Sequence, residues 1–561
     1  MNLVNMPLKV NRACSLADAS EFIMTHLYKS GRSYAISVQW PYHPATIAAA
    51  LCRLTGAHGR DLTDSNIMNI TNLLCGTGRR IMRTAALLTI ILLSSSAHAG
   101  ISDNVMYKRL PNGLQALVLE NHKAPVATLN VFYHVGSRNE TFGETGISHL
   151  CEHLMFRGTK KYGPEEFSNI IAENGGEDNA FTSADYTDYF EIINRDHLDV
   201  PLSLEADRMA NFAPKGFDSE KAVVMEERRL RTEDSPQEAL EEQVQAAAFT
   251  AHPYHWPVIG WMHDIQGLTL EDALSYHAVY YSPQNAIVVA VGDFDAAKVM
   301  KQIEELFGAL ANGPKPRPVT EIEPPQQGER QVTLRHAANL PAFAEAFHTP
   351  NYNNANDAFA LEIAGEVLGD GKSSRLYKDL VIDKQMVVDV DVEYDMNAFD
   401  PSLFWIAAQM RPGVKADDVM AEVDRQLAII GNQPAAPEEL QKAKNLEEAA
   451  FVFGQDSIFR EAELLGVYQM LGDYRLVDQY LGKIDKVTAA DVQRVIKRYL
   501  VKPNGTVGVL VPTGLLPHEA GGGEAGVVHH APPLDAERTA RAASVRLNPV
   551  PAQIDSSEAL R

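Results

Sequence analysis

Cysteine is scarce in this chain. Its 561 residues hold four, Cys14, Cys52, Cys75 and Cys151, and three of these precede residue 81. If that first stretch is missing from the mature protein, Cys151 stands alone and no internal disulfide can form. Positive charge is also short: 50 Lys and Arg face 73 Asp and Glu, a formal charge of −23. A nucleic-acid partner wants a basic face, so no such partner is expected, and the acidic surface reads as a solubility device. Long apolar runs are missing as well. Ala85–Leu93 is nine residues without a charge, too short to span a bilayer. Apolar content is ordinary, at 45% against 22% charged residues. That balance can bury a sizeable core, and the length calls for more than one domain.

The short apolar run has a context. Arg79, Arg80 and Arg83 precede it, and Ala97-His98-Ala99 follows. A basic start, an apolar middle and a small-x-small end make a secretory signal peptide. Residues 82–99 are therefore expected to be removed after Ala99, leaving Gly100 as the first residue. Such signals normally open a chain. Met82 is the expected start, with residues 1–81 an overextended reading frame; the alternative is a genuine segment ahead of an internal apolar helix. From about residue 515 Gly, Ala and Pro take over, and 515–561 is expected to be a disordered tail.

Between these ends the pattern alternates. Strand-like runs at 114–119 and 126–133 are followed by a glycine-bearing loop and a helix holding residues 149–153. A second helix is expected near 164–173, one strand over 179–190, and helices over 202–211 and 218–232, the latter capped by Asp218 or Ser219. A proline-rich linker, 313–327, separates domains at 100–312 and 328–514. Beyond it the order resumes: strands near 330–334 and 342–347, a helix at 356–368, another near 374–382, a strand at 387–394, and long helical stretches at 437–471 and 489–500. The similar order predicts two duplicated α+β domains, each a mainly antiparallel sheet packed with helices.

The chemistry gathers at His149-Leu150-Cys151-Glu152-His153. On a helix, residues four apart share a face, so both imidazoles can aim at one point, with the Glu152 carboxylate flanking it. Two imidazoles and an adjacent carboxylate suit a catalytic zinc site: two ligands, and a base for water. Such a site wants a third protein ligand, and Glu220, Glu226, Glu227 and Glu233 are the candidates on a downstream helix. Cys151 points away from that face and reads as a small buried apolar residue. His252, His255 and Trp256 read as packing, and His529-His530 as tail.

The pattern H-x-x-E-H followed by a helical E-x(6)-E resembles the pitrilysin/insulinase family of zinc peptidases, the inverzincins, which includes the mitochondrial processing peptidases. Here the second element is Glu220 to Glu227. The resemblance implies that Glu227 is the third ligand to a single zinc ion, that Glu220 supports a ligating histidine, and that Glu152 is the catalytic base. Asn179, Ala180, Phe181 and Thr182 resemble the family's edge strand beside the zinc, on which a peptide substrate lies. His252-Pro253-Tyr254, Tyr281-Ser282-Pro283-Gln284-Asn285 and Ser373-Ser374-Arg375-Leu376-Tyr377 fit the same family. The likeness spans about residues 105–512.

One departure matters. Active members carry an arginine and a tyrosine seven residues apart, which stabilise the oxyanion. The matching positions here are Val381 and Val388, and valine has no side-chain donor. The resemblance thus implies a catalytic subunit whose related partner chain supplies the Arg/Tyr pair, forming a heterodimer that cleaves peptides or small unfolded proteins, and the signal peptide directs it to the periplasm. A non-catalytic assembly or binding subunit is the alternative.

Overall fold

The computed structural model describes residues 100–369 and 371–514. Residues 1–81, the expected leader at 82–99 and the tail 515–561 lie outside the described residues.

The first sheet is built from β1 (Met106–Arg109), β2 (Gln115–Glu120), β3 (Val126–Tyr133), β4 (Glu177–Thr182), β5 (Thr187–Asn194) and β6 (Ala286–Gly292), in the order β1-β2-β6-β3-β5-β4. β3 and β6 sit at its centre and are buried on both faces; β6 is an unbroken apolar run, while β3 sets the buried, hydrogen-bonded Thr128 and Asn130 among its apolar residues. On one face lie helices α1 (Ile147–Met155), α2 (Glu166–Glu173), α3 (Asp199–Asn211) and α4 (Phe217–Arg228). Leu150 and Leu154 of α1 join Leu202 and Ala206 of α3 over Leu129, Val131 and Tyr133.

The second sheet holds β7 (Arg330–His336), β8 (Ala342–Thr349), β9 (Val387–Tyr394), β10 (Ser402–Met410) and β11 (Gly505–Pro512), in the order β7-β11-β8-β10-β9. This is the order β2-β6-β3-β5-β4 over again, down to one parallel pair in each sheet, β2 with β6 and β7 with β11. The architecture is therefore the two-domain α+β arrangement expected from the sequence, with α6 (Ala355–Leu368) following β8 as α1 follows β3.

What the linear pattern does not predict is an exchange of helices. α5 (Pro236–Ala248), from the first half, lays Leu240, Val244 and Ala248 on Ala342, Ala344, Ala346 and Leu510 of the second sheet. Of the later helices α7 (Pro437–Gly454), α8 (Ile458–Met470) and α9 (Ala489–Tyr499), α8 reaches back the other way. Its Ala462 and Leu465 cover Leu117, Phe132, Ile287 and Val289 on the open face of the first sheet. Each crossing needs a glycine. A Cβ on Gly508 would lie 2.3 Å from Val244 Cγ2, and one on Gly466 would lie 2.2 Å from Phe132 Cε2. The linker is pinned too, since Glu323 accepts the backbone N–H groups of Thr250, Ala251 and His252.

Three local expectations change. Residues 179–190 form a hairpin, not one strand, because Ser183 Oγ accepts the N–H groups of Asp185 and Tyr186 and closes a turn. α4 is capped by Gly216 in a left-handed conformation, with Asp218 and Ser219 inside the helix. The stretch 437–471 is two helices parted after Gly454.

Substituting Gly466→Val tests the crossing. Helix propensity alone changes little or favours valine over glycine, but the Phe132 ring is fully buried and has nowhere to go. Overpacking is expected to prevail, lowering stability by about 2–3 kcal/mol in urea unfolding. An unchanged or raised midpoint would contradict this packing.

Candidate metal centre

The site begins with the loop that feeds α1. Glu140 is buried and accepts the N–H groups of Gly146 and Ser148, each at 2.8 Å, which satisfies the helix's exposed first-turn donors. Asp264 holds the same loop through Thr145 Oγ1 at 2.8 Å. α1 is thus fixed before its histidines are placed.

His149 and His153 lie on one face of α1, ring centroids 4.7 Å apart. α4 packs across them and delivers Glu227. Its Oε1 is 3.7 Å from His149 Nε2, and its Oε2 is 3.2 Å from His153 Nε2. The three side chains offer ligand atoms all within 4.8 Å of one another, and no other such group of His, Cys, Asp or Glu occurs among the described residues. Glu220, two turns before Glu227, meets the far nitrogen of His153: Nδ1 to Oε1, 3.0 Å. Arg157 Nε stands 3.3 Å from the other Glu220 oxygen. The remaining candidates turn elsewhere. Glu226 pairs with Arg229 at the surface, and Glu233 is nearest Arg228. Cys151 is fully buried and directs its thiol to the Ala273 carbonyl, away from this point.

The electrostatics match a cation site. His153 Nε2 and Glu227 Oε1 are buried and turned to the same point, with Glu227 Oε2 at 3.2 Å from the first and Arg231 Nη1 at 3.0 Å from the second. A divalent cation with open coordination would satisfy both, and two imidazoles with one carboxylate are a donor set that zinc accepts. Burial lowers His149 to a pKa of about 4, partly opposed by Glu227. Burial would lower His153 as well, but its hydrogen bonds to Glu220 and Glu227 outweigh that and raise it to about 10. Glu227 is pulled the other way, to about 2: burial would raise it, and His149, His153 and Arg231 together prevail. Glu152 is pushed up to about 7 by burial, with His153 and Thr182 drawing it back.

The expected peptide-binding residues sit on β4, the free edge of the first sheet. Ala180, Phe181 and Thr182 are buried and Asn179 is half-buried. What they offer a peptide is therefore mainly backbone. The Ala180 N–H is bonded to its neighbour's side chain, Asn179 Oδ1, at 2.8 Å. Two contacts close to the site were not anticipated. Arg231 Nη1 lies 3.0 Å from Glu227 Oε1, brought round by a π-helical turn over Arg229–Glu233. Its spacing four residues after Glu227 was the available signal. Thr182 Oγ1 donates to Glu152 Oε2 at 2.5 Å. Val381 packs against the second core, and Val388 is exposed on β9.

Comparison with known proteins identifies the family. Residues 116–260 match the family profile described as insulinase, peptidase family M16, and residues 267–447 the profile described as peptidase M16 inactive domain. A zinc protease of Helicobacter pylori, PqqE, is 36% identical over 411 residues, covering 72% of this chain and 92% of that one. An uncharacterised zinc protease of Mycobacterium leprae is 28% identical over the same shares. The crystal structure of a protease from Helicobacter pylori superposes with a TM-score of 0.70 at 33% identity, covering 73% of this chain and 99% of that one. The chain belongs to the insulinase family of peptidases, family M16.

Proposed function

We propose that this chain is a zinc-dependent endopeptidase subunit that hydrolyses peptides or small unfolded proteins. The observation that carries the proposal is the convergence of His149, His153 and Glu227 on one point beside Glu152. These three residues would hold one zinc ion, and Glu220 would steady His153 from behind. Zinc in such a site supplies Lewis acidity, bringing the pKa of water toward neutrality and polarising a peptide carbonyl.

The protein does the rest. A peptide adds to the free edge of β4 as an extra strand, its backbone pairing with that of residues 179–182. Glu152, its pKa raised to about 7, is suited to accept a proton from water near neutral pH and return it to the leaving amine. The positions that would carry the oxyanion donors are Val381 and Val388. A related partner chain bearing an arginine and a tyrosine seven residues apart would complete the site. The leader at residues 82–99 would send the subunit to the periplasm. The second reading, a non-catalytic assembly subunit, draws on those two valines and on the match to a profile described as inactive.

Glu152→Gln should keep one zinc per chain by elemental analysis and lose about 10²–10⁴ in turnover. Normal cleavage by that variant would remove Glu152 as the base. His149→Ala and Glu227→Ala should each lose the metal. Peptide cleavage should appear when the chain is mixed with a partner carrying the Arg/Tyr pair and be nearly absent with either chain alone. Full activity of the isolated chain would overturn the partner requirement, and no activity in any mixture would favour the assembly reading.

Metal affinity should depend on pH in a stated direction. Zinc needs His153 neutral, but in the metal-free site His153 holds its proton up to about pH 10. Binding must expel it, so apparent affinity should rise about tenfold per unit between roughly pH 6 and pH 8. Glu220→Gln removes one of the two carboxylates holding that proton and should flatten the slope. A pH-independent affinity in the native protein would contradict this proton linkage.

A further inference from the structure

A carboxylate that shuttles a proton has two oxygens, and only one can face the reaction. In Glu152 the choice is fixed by a neighbour. Thr182 Oγ1 lies 2.5 Å from Glu152 Oε2, with both residues buried. Behind it, Thr187 Oγ1 gives its proton to the Val135 carbonyl at 2.9 Å and stands 3.4 Å from Thr182 Oγ1. A hydroxyl has one proton to donate. Ionised Glu152 can only accept, and it lies 2.5 Å from Thr182 Oγ1 against 3.4 Å for Thr187 Oγ1, so the Thr182 proton goes to Glu152.

We propose that Thr182 is a positioning residue for the general base. Its hydroxyl occupies Oε2 as a standing donor and holds the carboxylate in one orientation. Any proton that Glu152 takes up is then directed to Oε1, the oxygen that does not accept from Thr182. Without that bond the carboxyl group can rotate and carry its proton on the oxygen facing the protein, where it serves neither water nor the leaving amine. Strand parity puts the side chains of Ala180 and Thr182 on the face toward α1, where Ala180 joins the same core as Leu150 and Leu154, while Phe181 points to the opposite face. The strand that would receive the peptide by its backbone edge therefore also orients the base by a side chain. Peptide seating and base alignment share one element.

This inference rests on the peptidase reading. The test compares Thr182→Val, which keeps the shape and removes the donor, with Thr182→Ser, which restores the hydroxyl. Both are measured in the zinc-loaded protein with its partner, alongside zinc content and a crystal structure of the metal-free variant. Thr182→Val should keep one zinc, lose about 10–100-fold in kcat with KM within twofold, and show Glu152 in an altered or split conformation. Thr182→Ser should recover most of the loss. Thr182→Cys, a weak donor of similar size, stands in if valine prevents folding and should fall between the two.

Unchanged kcat in the valine variant, a raised KM at constant kcat, or a serine variant no better than valine would overturn the inference. So would an unmoved Glu152 in the crystal. If Glu152→Gln is inactive while Thr182→Val is normal, this inference fails alone. If Glu152→Gln is fully active, the peptidase mechanism fails with it.

Discussion

The site depends on one imidazole held at both ends. His153 meets Glu220 through Nδ1 and faces Glu227 through Nε2. The two carboxylates are two turns apart on α4, so a single ring on α1 sets the register between the helices. Slide α4 by one residue and both contacts are lost. The pairing also explains the unlike behaviour of two histidines on the same face. His149 has only Glu227 to offset burial and falls to about 4, while His153 has two carboxylates and rises to about 10.

The scaffold keeps that register by sharing helices between its halves. α8 closes the open face of the first sheet and α5 closes one face of the second, so neither sheet is covered by its own half alone. The network at the junction has the same logic. Asp185, in the turn just after the edge strand, binds Arg138 and the Tyr254 hydroxyl and also accepts the N–H of Phe399 from the second half. The duplication of topology is not a duplication of site. α6 stands where α1 stands in the first half, but it is lined with Phe359, Leu361, Ile363 and Ala364, which are core. Among the described residues no second group of metal-ligating side chains gathers there.

The parts legible in the sequence were those set by short-range periodicity. Spacing of four within α1 and of seven within α4 is enough to place His149 with His153 and Glu220 with Glu227, whatever the rest of the chain does. The repeated order of strands was visible for the same reason. Where local propensity ran through a turn, as in the Thr- and Tyr-rich stretch 179–190, the reading failed, because a single serine hydroxyl closed the hairpin. The exchange of α5 and α8 was invisible, since both helices are amphipathic in an ordinary way and only the tertiary fold says which sheet they meet. The π-helical turn that returns Arg231 to Glu227 left no mark beyond a spacing of four. Thr182 was read as part of the peptide-binding edge strand from the family resemblance, which speaks of the backbone and not of where the hydroxyl turns. Its side chain turns inward to Glu152.

The central claim is that His149, His153 and Glu227 form one zinc site with an open position. Zinc K-edge X-ray absorption on the metal-loaded chain tests it most directly. The account predicts a first shell of nitrogen and oxygen at about 2.0–2.2 Å with scattering from two imidazoles and no sulfur. A sulfur scatterer at about 2.3 Å, which only Cys151 among the described residues could supply as a thiolate, or a shell without the two imidazoles, would contradict it.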